Sequence, residues 1–299
     1  MIDRILPPIL LFDCSYIGYR CFYGMPRLEW EEMDTSVLYG FFEEVFRAAR
    51  TFRTHNFYFC FDSATADSLR KKLFPDYKKK RKQLAEDEAE ARARMYYALS
   101  LLRETILPAL GFRNIFYQTG YEADDLMHQL ISQAGTFEGR HVMVTGDEDM
   151  YQTLQFPGTS FYNYKREYNQ RDFVKEFGIP AKKWPIVKSI CGCKSDEVPG
   201  IFKVGPATAI KFMKGILSPK QKLYGDIIKG REIIHRNRKL VTLPFPGLPT
   251  LQVKQDCVTR EKMEAIAEEY GFRSWLDSED WNFYFTGSRP KKKPRKVTR

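Results

Sequence analysis

Short apolar runs alternate with longer amphipathic stretches along the first half of this chain. ILPPILLFD (5–13), NFYFCFD (56–62), FRNIFYQ (112–118), HVMVTGD (141–147) and TSFYNYK (159–165) predict strands, each short and rich in branched or aromatic residues. Between them, TSVLYGFFEEVFRAARTF and EADDLMHQLISQ return to apolar residues at helical spacing. This alternation predicts an α/β domain, a mostly parallel sheet with flanking helices, over residues 1–170. From about residue 171 the pattern is helix-rich and broken by Gly and Pro, which sets off residues 171–285 as a second region. The end, 286–299, is too basic and polar to pack and predicts a mobile tail with a general attraction to DNA.

The acidic residues fall where the strands stop. Apolar runs close on Asp13, Asp62 and Asp147, VTGDEDMYQTL adds Asp149, and GYEADDL delivers Glu122, Asp124 and Asp125 after a short turn. One such acid is an ordinary helix cap, welcomed by free N–H groups and by the helix dipole. Repetition at four strand ends changes that reading, because the carboxyl ends of an open parallel sheet form the crevice where ligands bind. Like charges ~4 Å apart repel by ~4 kcal/mol at an effective dielectric of ~20, so such a group must take up protons or hold cations. Oxygen donors without clustered histidine point to Mg²⁺ or Mn²⁺ rather than zinc. Two such ions ~4 Å apart can activate a water and stabilise a leaving oxygen, which is phosphodiester chemistry.

Charge and composition agree with that substrate. Lys and Arg exceed Asp and Glu by 48 to 38, a net +10, which favours a polyanionic partner. No apolar run approaches the ~18 residues of a membrane span, and ILPPILLF suits a buried strand better than a signal peptide. A cytoplasmic protein without membrane contact is expected. Six cysteines show no disulfide rhythm, and Cys191-Gly-Cys193 lacks a second pair to complete a zinc site.

Two further stretches add to this chemistry. SLRKKLFPDYKKKRKQ gathers Arg70, Lys71, Lys72, Lys78, Lys79, Lys80, Arg81 and Lys82 around Phe74 and Tyr77, directly after Asp62. A charge run is commonly a solvated face. This one leaves the sheet at its acidic end, where cations meet phosphates and Tyr77 or Phe74 can stack on a base. KSICGCKSDEVPGIFKVGPATAIKFMKG (188–215) sets two helical patterns around PGIFKVGPA, whose Gly200, Lys203 and Gly205 would bring backbone N–H groups close to a phosphate.

GYEADD, VTGDEDMYQTL and SDEVPGIFKVGPATA, in this order and spacing, resemble the 5′ nucleases of the flap endonuclease superfamily, in particular the phage 5′-exonucleases and phage ribonuclease H. The likeness covers most of residues 5–245. LLFDCSYIGYR resembles the first metal-ligand strand, FCFDSATADSLRKKLFPDYKKKRK the second ligand and the arch over about 63–110, and YKREYNQRD the strand leading into the carboxyl-terminal half. The resemblance implies a structure-specific 5′ nuclease that uses two divalent ions, Mg²⁺ or Mn²⁺, in replication or repair. It implies flap-bearing duplex DNA and RNA–DNA hybrid as substrates, a helix-hairpin-helix with a K⁺ ion, a monomer, and replication proteins as neighbours.

Carried over by position, Asp13, Asp62, Glu122, Asp124 and Asp125 match the first metal cluster, and Asp147, Asp149 and Asp196 the second. Lys78 and Arg81 fall on the arch positions used against the scissile phosphate, Tyr77 precedes them, and Arg20 follows the first strand. Arg70, Lys79 and Lys80 are expected as DNA contacts. One position departs: where the family has G-D-x-x-D-N, this chain has Gly192-Cys193-Lys194-Ser195-Asp196-Glu197, and magnesium binds thiolate poorly. Cys193 therefore keeps a second reading open, a structure-specific DNA-binding protein with weak or no turnover. A single-strand ribonuclease of the PIN type, sharing the acidic sheet, is a third, against which the long basic arch and the hairpin argue.

Overall fold

The computed structural model describes residues 7–79, 86–135 and 139–286. Strand β1 (Ile9–Asp13) runs into α1 (Cys14–Gly24), a small hairpin of β2 (Glu29–Trp30) and β3 (Met33–Asp34), and the long α2 (Ser36–Phe52). After β4 (Asn56–Cys60) and α3 (Ser68–Leu73), α4 (Glu86–Leu101) continues through a π-helical turn into α5 (Leu107–Leu110). Then come β5 (Ile115–Phe116), α6 (Ala123–Ala134), β6 (His141–Val144), a 3₁₀ helix (Glu148–Gln155), β7 (Thr159–Tyr162) and β8 (Glu167–Asn169). All five expected strands form; β1 runs through Asp13, whereas β4 and β6 stop before Asp62 and Asp147, where the chain turns to place an acid.

The sheet order is β5-β4-β1-β6-β7-β8, parallel throughout except for the antiparallel edge strand β8. Parallel strands are stable when both faces are covered, and β1 shows the alternation. Leu10 and Phe12 face one apolar layer with α1, α2 and α4, and Leu11 faces the other with Cys60, Met143 and α6. Ile9 pairs with Asn56 and His141, and Phe12 with Phe59 and Val144, so that the strands finish in step.

The remaining helices are α7 (Gln170–Phe177), α8 (Trp184–Cys191), α9 (Pro206–Met213), α10 (Lys222–Lys229), α11 (Arg231–Val241), α12 (Arg260–Glu269) and α13 (Glu279–Thr286), with a two-residue ladder of β9 (Gly192–Cys193) and β10 (Val198–Pro199) after α8. No break in packing follows the expected division at 170. Phe173, Trp184, Val187 and Ile210 share one buried cluster with Leu11 and Met143 of the sheet. Residues after 255 return to the opposite face, where Trp275 and Trp281 pack on Phe42, with ring centroids 4.8 and 6.3 Å away.

A buried ion pair ties the basic run to this frame. Arg70, 1% exposed, sends its two terminal nitrogens to Asp125 at 2.8 and 2.9 Å, and its Nε donates to the Leu240 carbonyl. Asp125, fully buried, also accepts from the backbone N–H of Phe245 at 2.6 Å and of Glu122 at 3.2 Å. Four donors on one carboxylate leave it no capacity for a metal, and a guanidinium held this way cannot reach DNA. The expected roles of Asp125 as a ligand and Arg70 as a DNA contact are therefore corrected: the pair is structural. Removing one partner of a buried pair leaves an uncompensated charge, at a cost of about 3–5 kcal/mol. Arg70→Ala is expected to lose that much in urea denaturation. A loss within about 1 kcal/mol, the size of an exposed ion pair, would refute this role.

Candidate metal centre

The carboxyl ends of β1, β4 and β6 open into a cleft of about 490 Å³ lined by Asp13, Asp62, Glu122, Asp124 and Asp147, with Lys78, Lys188 and Ser195 on its walls. Local structure fixes each acid. Asp13 caps α1 by accepting from the Tyr16 N–H at 2.9 Å, and its other oxygen accepts from the Thr145 hydroxyl at 2.8 Å. Asp62 accepts from the N–H of Ala123 at 2.7 Å, tying the end of β4 to the start of α6. Asp147 caps the 3₁₀ helix through the Asp149 N–H at 2.8 Å. Capping and convergence thus coexist: the same carboxylates that start helices face one another across the cleft.

That crowding shifts their protonation. Asp13 is pushed up to about 7 by desolvation and then by the charge of Asp62. Asp147 is likewise pushed up to about 7, by desolvation from the surrounding protein and then by Asp149. Asp124 stands well above the usual carboxylate range, through desolvation, Asp125 and Glu122. Asp13, Asp62, Asp124 and Asp147 have no ammonium or guanidinium partner among the described residues. Four oxygen-donating side chains lining one cleft supply the donor type of a hard divalent ion, whose charge would reverse the rise in pKa, but no three of them bring ligand atoms within 4.8 Å of one another.

The other acids are already paired. The Lys78 ammonium lies 2.6 Å from Glu122 and 3.6 Å from Asp196, and its backbone N–H donates to the Asp196 carbonyl at 3.0 Å. Lys78 reaches this position with a left-handed backbone, φ 53°. Asp149 and Asp196 lie beneath the open cleft beside a void of about 10 Å³. Lys188 of α8 places its ammonium 2.6 Å from Asp149. Burial opposes that charge, but Asp149 outweighs it and the Lys188 pKa rises. The Cys193 thiol donates to Asp196 at 3.6 Å and lies 3.0 Å from the Ser195 hydroxyl. Desolvation, with Asp149 and Asp196, pushes it up to about 12. Ligand atoms of Asp149, Cys193 and Asp196 lie within 4.8 Å of one another.

Several sequence expectations change here. Tyr77 is not available to stack on a base: it is 3% exposed, packed with Val198, Leu240 and Val241, and its hydroxyl points at Glu122, 3.4 Å from either oxygen. Phe74 packs against this cluster and carries the Arg236 guanidinium over its ring at 4.4 Å. Arg20 lies outside the cleft, stacked on Tyr164 at 4.6 Å and paired with Glu44 at 3.4 Å. Gly200 serves the chain's own packing rather than a ligand, since a Cβ there would sit 2.1 Å from the Cys191 carbonyl carbon. Gly205 caps α9 in open space, and Lys203 lies exposed beside Phe202, itself 80% exposed. Lys79 is exposed and paired with Asp76 at 2.9 Å. Lys80 and Arg81 lie outside the described residues. Thr145 and Lys188 were missed, although Lys188 left a signal as the one charge in the apolar helix WPIVKSIC.

The sequence pattern that defines 5′-3′ exonuclease, N-terminal resolvase-like domains matches residues 8–178. Thermostable DNA polymerase I of Thermus filiformis is 28% identical over 293 residues, 92% of this chain and 34% of the polymerase. DNA polymerase I of Mycobacterium tuberculosis strain H37Rv is 27% identical over 219 residues, 71% of this chain and 23% of the polymerase. The chain thus spans between 23% and 34% of these relatives' length. Among solved structures, the D15 protein of bacteriophage T5, co-crystallised with metal ions, superposes with a TM-score of 0.65 at 18% identity, covering 94% of this chain and 100% of that one. The catalytic core of Rad2 with a DNA substrate gives 0.53 at 13% identity, covering 96% and 93%. These likenesses at low identity concern the fold. Because the matched pattern takes in the sheet and the strand ends that build the cleft, the chain belongs to the family of 5′-3′ exonuclease, N-terminal resolvase-like domains.

Proposed function

We propose that this chain is a structure-specific 5′ nuclease that hydrolyses phosphodiesters at 5′ flaps and primer-bearing 5′ ends of DNA and RNA–DNA hybrid, as a cytoplasmic monomer using Mg²⁺ or Mn²⁺. One observation carries the reading: Asp13, Asp62 and Asp147 from three strand ends and Asp124 from the first turn of α6, without cation partners among the described residues, line one cleft beside Lys78. The net charge of +10 supports a nucleic-acid substrate. The T5 and Rad2 proteins, seen with metal ions and with DNA respectively, agree with it.

In this reading the four carboxylates would hold a divalent ion, and the resemblance implies a second at Asp147, Asp149 and Asp196; such ions would supply an activated water and charge stabilisation at the phosphate. Lys78 contributes a fixed ammonium. Its backbone and side chain are both anchored, so charge building on a phosphate in the cleft meets a donor already in place. Thr145 holds the Asp13 carboxylate toward the cleft. The hairpin between α8 and α9 presents Lys203 and the open N-terminus of α9 to a duplex backbone, where a K⁺ ion would sit. Asn237 supports it from beneath, donating to the Ser189 and Pro199 carbonyls at 3.1 and 2.9 Å. Cys193 favours the second reading, DNA binding with little turnover, because it removes a carboxylate.

A labelled 5′-flap duplex incubated with Mg²⁺, Mn²⁺ or EDTA separates the two. Metal-dependent release of the flap is expected, and binding without cleavage in either metal would leave only the second reading. Asp147→Asn is expected to lower cleavage by about 10²-fold or more with DNA binding retained, the scale of losing one electrostatic element of a site. A rate within tenfold of the wild type would mean that Asp147 holds no catalytic ion. Lys78→Ala is expected to slow single turnover by about 10²-fold, whereas Lys79→Ala changes it little. Equal small losses at both positions would mark the run as a general basic face.

A further inference from the structure

We infer that the Lys188 ammonium stands where a second divalent ion would balance charge, so that the chain carries one catalytic ion, held by Asp13, Asp62, Asp124 and Asp147. This rests on the proposed metal-dependent reading and deepens it. The second group of ligands implied by the sequence, Asp147, Asp149 and Asp196 with a partner at position 193, does not fit a hard divalent ion here, for three independent reasons.

The first is charge. Asp149 has the Lys188 ammonium at 2.6 Å and Asp196 has Lys78 at 3.6 Å, whereas the four carboxylates of the open cleft have no cation partner among the described residues. An ion arriving between Asp149 and Asp196 would meet an ammonium in contact with one of its ligands. The second is donor chemistry. Position 193 offers a thiol hydrogen-bonded to Asp196 and close to Ser195, and sulfur suits thiophilic metals rather than Mg²⁺. The third is space. Asp149 and Asp196, together with Asp124, Arg70 and Tyr77, border a void of about 10 Å³ that Cys193 does not line, about the limit for a single water, and Mg²⁺ dehydrates reluctantly and keeps several waters. The cleft of about 490 Å³ above it has room for a hydrated ion and a phosphate.

Lys188 is well built for this part. It is the one charge on α8, its helix is fixed by the Trp184 indole donating to the Glu148 carbonyl at 2.8 Å, and its ammonium reaches the cleft wall beside Ser195. A fixed ammonium differs from an ion in that it is never lost to chelators. The far side of the site would then keep its charge balance in the absence of divalent metal.

The test is to count Mn²⁺ ions per chain from the electron paramagnetic resonance signal of free Mn²⁺ during titration of the full-length protein without DNA. One ion is expected for the wild type, and two for the double variant Cys193→Asp, Lys188→Met, which restores the carboxylate and removes the resident cation. Two ions of similar affinity on the wild type would overturn the inference while leaving the proposed nuclease intact. No bound ion would overturn both. A wild-type count of one with the double variant also at one would overturn the role given to Lys188. The same titration with Co²⁺, read by absorption, is expected to show no thiolate-to-cobalt charge-transfer band. Such a band would make Cys193 a ligand and overturn the exclusion of the second ion.

Discussion

Repulsion among carboxylates gathered at one end of a parallel sheet governs the rest of this molecule. Strand direction imposes it: β1, β4 and β6 run the same way and stop in step, so the polar residues that end them arrive together. The protein answers that cost in two ways. Some acids receive a permanent cation, Glu122 from Lys78, Asp149 from Lys188 and Asp125 from Arg70. Others receive only neutral donors, a backbone N–H or the Thr145 hydroxyl, and these open onto the cleft. The division between the two sets separates acids that already carry a cation from those that do not.

The permanent pairs also hold the halves of the chain together. Arg70 sits on α3, Asp125 on α6, and the backbone groups that complete their shell belong to Leu240 and Phe245. Gln152 works alongside, donating to the Val241 carbonyl at 3.0 Å and accepting from the Leu243 N–H at 2.9 Å. The segment after α11 is therefore fastened to the sheet by buried polar groups that would be expensive to leave unpaired. Catalytic constellations need supporting side chains locked by packing and hydrogen bonds. Lys78, Lys188 and Asp196 come from outside the strands and depend on this fastening to meet acids that come from the strand ends.

Much of this was legible in the sequence because it follows from period and punctuation. Apolar runs named the strands, and the acid at the end of each named the cleft. What escaped depends on partners far away in the chain. Arg70 belongs to a basic run by every local criterion, yet its partner stands at position 125, and no spacing rule links the two. Tyr77 looked like an exposed aromatic among lysines until α11 supplied Leu240 and Val241 to cover it. Gly200 has the signature of a glycine kept for a ligand, but the close approach it permits is to Cys191 of its own chain. The return of Trp275 and Trp281 to the face made by α2 was equally invisible, since an apolar helix announces that it is buried and not against what.

In the proposed reading, a basic protein with an acidic cleft also couples a nucleic-acid substrate to a divalent ion. A phosphodiester carries negative charge, and in this cleft it would meet Asp13, Asp62, Asp124 and Asp147 together with Lys78 and Lys188 on the same walls. Lys78 and Lys188 already share their charge with Glu122 and Asp149, so they attract an incoming anion less than isolated lysines would. Each unscreened carboxylate raises the cost of that approach, and the low dielectric of the cleft floor raises it further. A divalent cation among the four unpaired acids lowers it in one step, by turning the most repulsive part of the wall into an attractive one. Affinity for a phosphate in the cleft and occupancy of the metal position are then linked quantities, and the positive charge spread over the rest of the surface serves to hold the polyanion nearby without deciding whether it enters.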